Sequence, residues 1–272
     1  MSIALQDLCV HYGPRRVLHG VSLHAQAGQV LGIVGPNGSG KSSLIKAVAG
    51  LLPASGTVHF DGSTVRPRSI GYMPQDLQSP AALTVLEVAL LGRIQQLRLK
   101  VQPDDLAAVR EVLQLLGIEA LAGRYVSELS GGQRQMAFLA QALVSQPTVL
   151  LLDEPISALD ICHQLEVLAV VRDMTRQRNL TTLIVLHDLN AAARFCNDVA
   201  LLQSGHLLAS GPPAQVLTVV HIAQAFGVET EALRCSDGTG VLVPMRAMKN
   251  PMAAQITIDS VAIGATKISV KA

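Results

Sequence analysis

Residues 28–50 read "GQVLGIVGPNGSGKSSLIKAVAG", and their interpretation decides the fold. The apolar run Val30–Val34 has the length and character of a short buried strand, and it stops at a glycine-rich string. Behind that string, "SLIKAVAGLL" carries apolar residues at helical spacing. Between the two, Gly35, Pro36, Asn37, Gly38, Ser39, Gly40, Lys41 and Ser42, followed by Ser43, match the pattern G-x-x-x-x-G-K-[ST]. A strand that ends in such a loop and opens a helix is a phosphate cradle. The glycines let backbone N–H groups wrap the phosphates, Lys41 supplies a point charge on the β and γ phosphates, and the Ser42 hydroxyl is a ligand for Mg²⁺.

A second half of the same chemistry lies further on. "TVLLLDEP" is a continuous apolar run ending in Asp153 and Glu154. An aspartate at the carboxyl end of a buried strand holds Mg²⁺ through water, and the acidic residue after it orients or deprotonates an attacking water. An isolated pair of acids would be a solvated strand end; behind an apolar strand in a chain with a phosphate loop, catalysis is the stronger reading.

The composition agrees with an α/β core. Of 272 residues, 49% are apolar but only 3% aromatic, so the core is aliphatic, as buried parallel strands and helices tend to be. Twenty-one basic residues nearly balance twenty acidic ones, which gives no support to a nucleic-acid surface. No apolar stretch approaches the roughly eighteen residues of a membrane span, and the expected location is cytoplasmic. Cys9, Cys162, Cys196 and Cys235 lack metal-site spacing and read as idle thiols in a reducing compartment.

Around these motifs, "SIALQDLCVHY" reads as an opening strand, "GTVHFDGSTV" as part of a small antiparallel element, and "SIGYMPQ" as a second apolar strand ending at Pro74 and Gln75. "TVLEVALLG" begins with Thr84 and Glu87 in capping-box spacing. "PDDLAAVREVLQLLG" has Pro103 at its start and Gly117 at its end, as helices favour. No strand is expected from about 86 to 146. "LTTLIVLHD" resumes the buried strands, and "VALLQSGHLLASG" reads as a hairpin around Ser204 and Gly205. The expected fold class is α/β: a phosphate-loop NTPase core with a mostly parallel sheet, a small antiparallel β element and an inserted all-helical subdomain. Residues 1–246 form that domain, and 247–272 a tail that is either a hairpin or disordered.

"LSGGQRQMAFLAQAL", Leu129–Leu143, raises a separate question. Ser130 is a natural N-cap, and Gly131 and Gly132 leave the first turn bare before an apolar stripe at Met136, Leu139, Ala140 and Leu143. Such a helix end holds anions, yet the chain already has a phosphate loop. The loop at 35–42, "LSGGQ" at 129–133, "LLLDEP" at 150–155, "SALD" at 157–160 and His187 stand in the order of the ATP-binding cassette (ABC) ATPases, which the chain resembles over about residues 2–215. In that family two cassettes pack head to tail, and each ATP lies between the loop of one and the signature of the other.

The resemblance implies the remaining roles. Ser130 and Gly132, with Gly131 and Gln133 beside them, contact the γ-phosphate held by the partner's loop. Tyr12 stacks on adenine. Gln75 touches Mg²⁺ and the attacking water, so that Ser42, Asp153 and Gln75 form the metal set. His187 contacts the γ-phosphate, and Asp160 belongs to the loop crossing to the second cassette. Ile156 and Gln141 depart from common Thr and Arg at positions that do not touch phosphate. The resemblance further implies an ATPase subunit on the cytoplasmic face of the inner membrane. It would be peripheral, joined to separate integral permease subunits, served indirectly by a substrate-binding protein, and paired with a second cassette, expected to be an identical copy. The stretches at 78–93 and 185–217 are most similar to importers of iron–siderophore, haem and cobalamin complexes. The alternative is a soluble, non-transport cassette such as one for iron–sulfur cluster assembly.

Overall fold

The computed structural model describes residues 1–67, 69–76, 82–94 and 101–248, together with the backbones of two strands at 255–259 and 267–271. Along the chain run β1 (Ile3–Tyr12), β2 (Arg15–Ala25), β3 (Gln29–Val34), α1 (Lys41–Ala49), β4 (Ala54–Phe60) and β5 (Ile70–Met73). Next come α2 (Val85–Leu91), α3 (Pro103–Leu115), two 3₁₀ turns (Glu119–Leu121 and Val126–Glu128) and α4 (Gly131–Val144). Then follow β6 (Val149–Asp153), α5 (Ile161–Gln177), β7 (Thr181–Val185), α6 (Leu189–Phe195), β8 (Asp198–Gln203) and β9 (His206–Gly211). The chain continues with α7 (Pro213–Val216), α8 (Val219–Phe226), β10 (Val228–Arg234), β11 (Gly240–Ala247), β12 (Gln255–Asp259) and β13 (Lys267–Lys271). No helix among the described residues is long and apolar enough to cross a membrane.

Two compact units divide these elements. One comprises Met1–Ile3, Gln26–Gln29 and His59–Ile184. Its strands lie in the order β5-β6-β7, with β5 and β6 parallel from Ile70↔Val149 to Met73↔Leu152. The apolar runs behave as expected: every residue of β6 and β7 is buried, which suits strands covered on both faces. Helices α2, α3 and α4 occupy the stretch expected to be helical. Thr84 and Glu87 close the capping box at the start of α2, the Glu87 N–H donating to Thr84 Oγ1 at 3.3 Å and Thr84 N–H to Glu87 Oε2 at 2.7 Å. Gly71 and Gly92 allow the close packing of α4: a Cβ on Gly92 would fall 2.0 Å from the Gln141 carbonyl oxygen.

The other unit comprises Ala4–Ala25, Val30–Val58 and Val185–Ala272. It holds the antiparallel element as a three-stranded sheet, β2-β1-β4, and the order β3-β8-β9, in which β3 and β8 are parallel and β9 is antiparallel. The β8–β9 turn has positive φ at both Ser204 (47°) and Gly205 (82°), the conformation that suits the twist of a two-residue hairpin.

Three strands were not expected from the sequence. β2 extends the antiparallel element, and β10 and β11 form a hairpin on either side of Asp237 and Gly238. β11 runs to Ala247, the residue at which a tail was expected to start, and beyond it β12 and β13 pair antiparallel. The side chains of 249–272 and the segment 77–81 lie outside the described residues.

Candidate functional site

In the second unit, the phosphate loop has geometry that only its own residues permit. Gly35 stands at φ 149° with the Leu202 carbonyl oxygen 2.1 Å from where a Cβ would sit, and Gly40, at φ 100°, has Leu18 Cδ2 at 2.5 Å. Gly40 is the N-cap of α1 and offers no side chain to that helix end, and no acidic residue occupies the first turn. Neither a capping side chain nor an acid therefore offsets the positive end of α1, the kind of helix start at which anions bind. Lys41 is buried, and its ammonium donates to the Gly35 and Pro36 carbonyl oxygens, both at 2.9 Å. Those bonds hold the charge against the loop until a phosphate competes for it. The Ser39 hydroxyl is buried without a hydrogen-bond partner, a further polar group inside the loop that a ligand oxygen could satisfy.

His187 is exposed one residue past Leu186, whose N–H donates to Ile33 O at 3.2 Å, two residues before Gly35. The unit thus brings His187 to the same strand end as the loop. Tyr12, the last residue of β1, is 48% exposed, an aromatic face open for stacking.

In the first unit, parallel pairing of Met73 with Leu152 makes Gln75 and Asp153 leave neighbouring strands at the same carboxyl end, where open α/β sheets bind ligands. Asp153 is fully buried, whereas Gln75 is exposed. Glu154, half-buried, stands at φ 56°, a left-handed backbone uncommon for a residue with a Cβ.

Ser130 caps α4 in a reciprocal box: the Gln133 N–H donates to Ser130 Oγ at 3.3 Å, and the Ser130 N–H to Gln133 Oε1 at 3.2 Å. Because Ser130 Oγ accepts here, its proton is directed elsewhere. Gly131 and Gly132 carry the first N–H groups of α4. A Cβ on Gly132 would lie 2.9 Å from Leu159 Cδ2, so this helix end packs on the turn before α5. Asp160 caps α5, accepting the His163 N–H at 3.0 Å. The His163 ring reaches the same carboxylate at 2.8 Å. The backbone bond, then the ring bond, holds Asp160 below the ordinary carboxylate value, and the Asp160 carboxylate raises His163.

A residue missed in the sequence, Gln135, bonds the turn that follows Glu154. Gln135 is buried in α4, four and seven residues before the buried Leu139 and Ala142. A glutamine within an apolar helical stripe was the available signal.

The residues expected to hold a metal carry hard donors, Ser42 in the second unit and Gln75 and Asp153 in the first. A Ser42 hydroxyl, an Asp153 carboxylate and a Gln75 amide are oxygen ligands of the kind Mg²⁺ takes alongside substrate phosphates. Among the described residues no cluster of three His, Cys, Asp or Glu offers an all-protein metal cage.

A strand–loop–helix phosphate cradle in a parallel α/β chain defines a phosphate-loop nucleoside triphosphatase. A family model described as ABC transporter matches residues 18–157. The hemin import ATP-binding protein HmuV of Bordetella avium (strain 197N) is 36% identical over 259 residues, covering 89% of this chain and 98% of its own. The ferric enterobactin transport ATP-binding protein FepC of Escherichia coli (strain K12) is 34% identical over 256 residues, covering 88% and 93%. Among solved structures, a metal-chelate type ABC transporter in an inward-facing conformation matches with a TM-score of 0.79 at 28% identity, over 90% of this chain and 98% of that one. The chain belongs to the ABC transporter family, as an ATP-binding subunit that hydrolyses ATP.

Proposed function

We propose that this chain powers an importer of metal chelates of the haem, iron–siderophore or cobalamin type. One feature carries the reading: α1 opens without a capping side chain or an acid in its first turn, and α4 opens on Ser130, Gly131 and Gly132, two helix starts suited to anions. One ATP needs only one phosphate cradle. Two such ends in one chain suit two copies packed head to tail, each supplying the loop to one nucleotide and the signature helix to the other. Relatives named for hemin and ferric enterobactin transport support the substrate class.

In this reading Tyr12 stacks on adenine, and the backbone of 35–43 wraps the phosphates. Lys41 exchanges its loop carbonyls for phosphate oxygens as the nucleotide enters. Ser42, Asp153 and Gln75 would hold Mg²⁺, which would supply positive charge to offset that of the phosphates. Glu154 takes the proton of the attacking water, and His187 donates to the γ-phosphate. Ser130 and Gly132 of the second copy, with Gly131 and Gln133 shaping that helix end, donate from the opposite side. Asp160 lies on the loop that crosses between copies. Loss of the γ-phosphate removes what the two chains share, and they part.

The domain is taken as 1–246, with the helical subdomain at about 86–146 receiving an integral permease on the cytoplasmic face of the membrane. A substrate-binding protein acts through that permease. The experiment is reconstitution with the permease and binding protein in proteoliposomes, with labelled haem, ferric siderophore and cobalamin offered separately. The expected result is Mg–ATP-dependent uptake of one chelate that Glu154→Gln abolishes; uptake of none, with ATPase activity intact, would overturn the importer reading.

A further inference from the structure

The turn from β6 into α5 reverses at Glu154, and its left-handed backbone (φ 56°) persists only if the surroundings impose it. Three donors converge on the Glu154 carbonyl oxygen: Gln135 Nε2 at 2.8 Å, Ser157 Oγ at 3.3 Å and the Ser157 N–H at 3.4 Å. Gln135 Nε2 also reaches Ser157 Oγ at 3.1 Å, while Gln135 Oε1 accepts the Ala158 N–H at 3.1 Å. A single amide, 3% exposed, therefore closes both ends of the turn, donating at Glu154 and accepting at Ala158.

The amide is carried on α4, five residues past Ser130. We propose that Gln135 is a positioning residue for ATP hydrolysis. It holds Glu154 in its left-handed backbone and fixes that residue to the helix whose N-terminus presents Ser130 and Gly132. The inference rests on the reading of Glu154 as the base. Its consequence is that the signature helix and the base of one chain are tied to each other through one amide. Misplacing a catalytic group by an ångström costs turnover without touching the groups that bind nucleotide.

The turn has a second brace. Gln164 Nε2, from α5, donates to Leu159 O at 2.9 Å and Ile156 O at 3.3 Å. With that brace intact, loss of Gln135 loosens Glu154 rather than unfolding the segment.

Two variants test this in the full chain. Gln135→Met keeps the length of the side chain and removes the amide. Gln135→Glu keeps an acceptor for the Ala158 N–H and loses the donor to Glu154 O. Both should bind ATP with unchanged stoichiometry and affinity, and turn over ~10- to 100-fold more slowly per binding site, with KM little altered. Normal kcat in either variant, or a kcat loss matched by lost binding sites, would overturn the proposal. Glu154→Gln measured alongside separates the two readings. Near-normal turnover there removes Glu154 as the base, whereas slow Glu154→Gln with fast Gln135→Met removes only the role of Gln135.

Discussion

Gly132 and Leu159 are packed so closely that a Cβ on the glycine would lie 2.9 Å from Leu159 Cδ2 and 3.3 Å from the Ala158 carbonyl oxygen. The signature helix and the turn into α5 are thus fitted to each other through an absent side chain. Gly132→Asp should displace that turn and set a carboxylate against the γ-phosphate of the opposing site, where like charges repel strongly once water is excluded. Binding of ATP to the isolated chain should stay near normal while turnover stops. Full ATPase activity in Gly132→Asp would refute the shared site.

In the proposed site Lys41→Ala removes the main counter-charge to the β and γ phosphates, and in the free chain it removes the two bonds that Lys41 makes to Gly35 O and Pro36 O. Charge-assisted bonds from Lys41 to phosphate oxygens would each be worth roughly 1.5–3 kcal/mol, offset in part by the loop carbonyl bonds given up, so ATP affinity should fall on the order of 100-fold. A direct binding assay reads the loss. Unchanged affinity would take residues 35–42 out of the phosphate site.

Glu154→Gln should retain ATP and lose at least ~10²-fold in hydrolysis, the scale of a general base. Trapped Mg–ATP should then hold two copies together, visible as a dimer in sizing chromatography. A variant that hydrolyses normally, or stays monomeric with ATP bound, contradicts the proposed role.

How much of this was legible depended on where the physics was local. The phosphate loop and the strands β3, β6 and β7 announced themselves because burial on both faces leaves an unbroken apolar run. The Thr84–Glu87 box and the Ser204–Gly205 turn were readable because capping and turn chemistry act within a few residues. β2 was not, because Gly20 breaks the run and only its second half, from Val21 to Ala25, alternates between buried and exposed. β10 was hidden by its composition: its buried residue is Thr230, with charged neighbours on both sides. Yet Asp237-Gly238 was a hairpin signal that could have been taken. The left-handed backbone of Glu154 and the amide of Gln135 depend on contacts nineteen residues apart, which no periodicity reports.

The Asp160–His163 pair gives a pH signature. Asp160 is held low, so its contribution to the start of α5 is present above the ordinary carboxylate value and lost as pH falls through the lowered one. His163 is raised, so its contribution is full below the ordinary histidine value and lost as pH rises through the raised one. The helix start is firmest between the two. An NMR titration should place His163 above an ordinary histidine. Asp160→Asn, which preserves an N-cap acceptor, should bring it down. An unmoved His163 titration in that variant would break the link.

The proposed permease contact is testable at α2 without damage to the fold. The Leu83 carbonyl accepts the Val126 N–H at 2.9 Å, the Val85 N–H donates to Arg124 O at 3.0 Å, and Thr84 forms an isolated bridge with Tyr125. None of these bonds depends on which side chain occupies position 83. Leu83, Leu86 and Leu90 are half-buried, and Leu91 and Tyr125 are exposed, so apolar surface is left on this helix and its neighbour. Residues 77–81 of the segment that follows Gln75 lie outside the described residues. Leu83→Asp puts an unpaired charge into the apolar contact, which is costly when desolvated. Pull-down of the assembled transporter should weaken, while ATP affinity of the free chain stays close to normal. Normal assembly with Leu83→Asp and with Leu86→Asp would move the docking site elsewhere, and loss of ATP binding by the free chain would assign Leu83 to the fold instead.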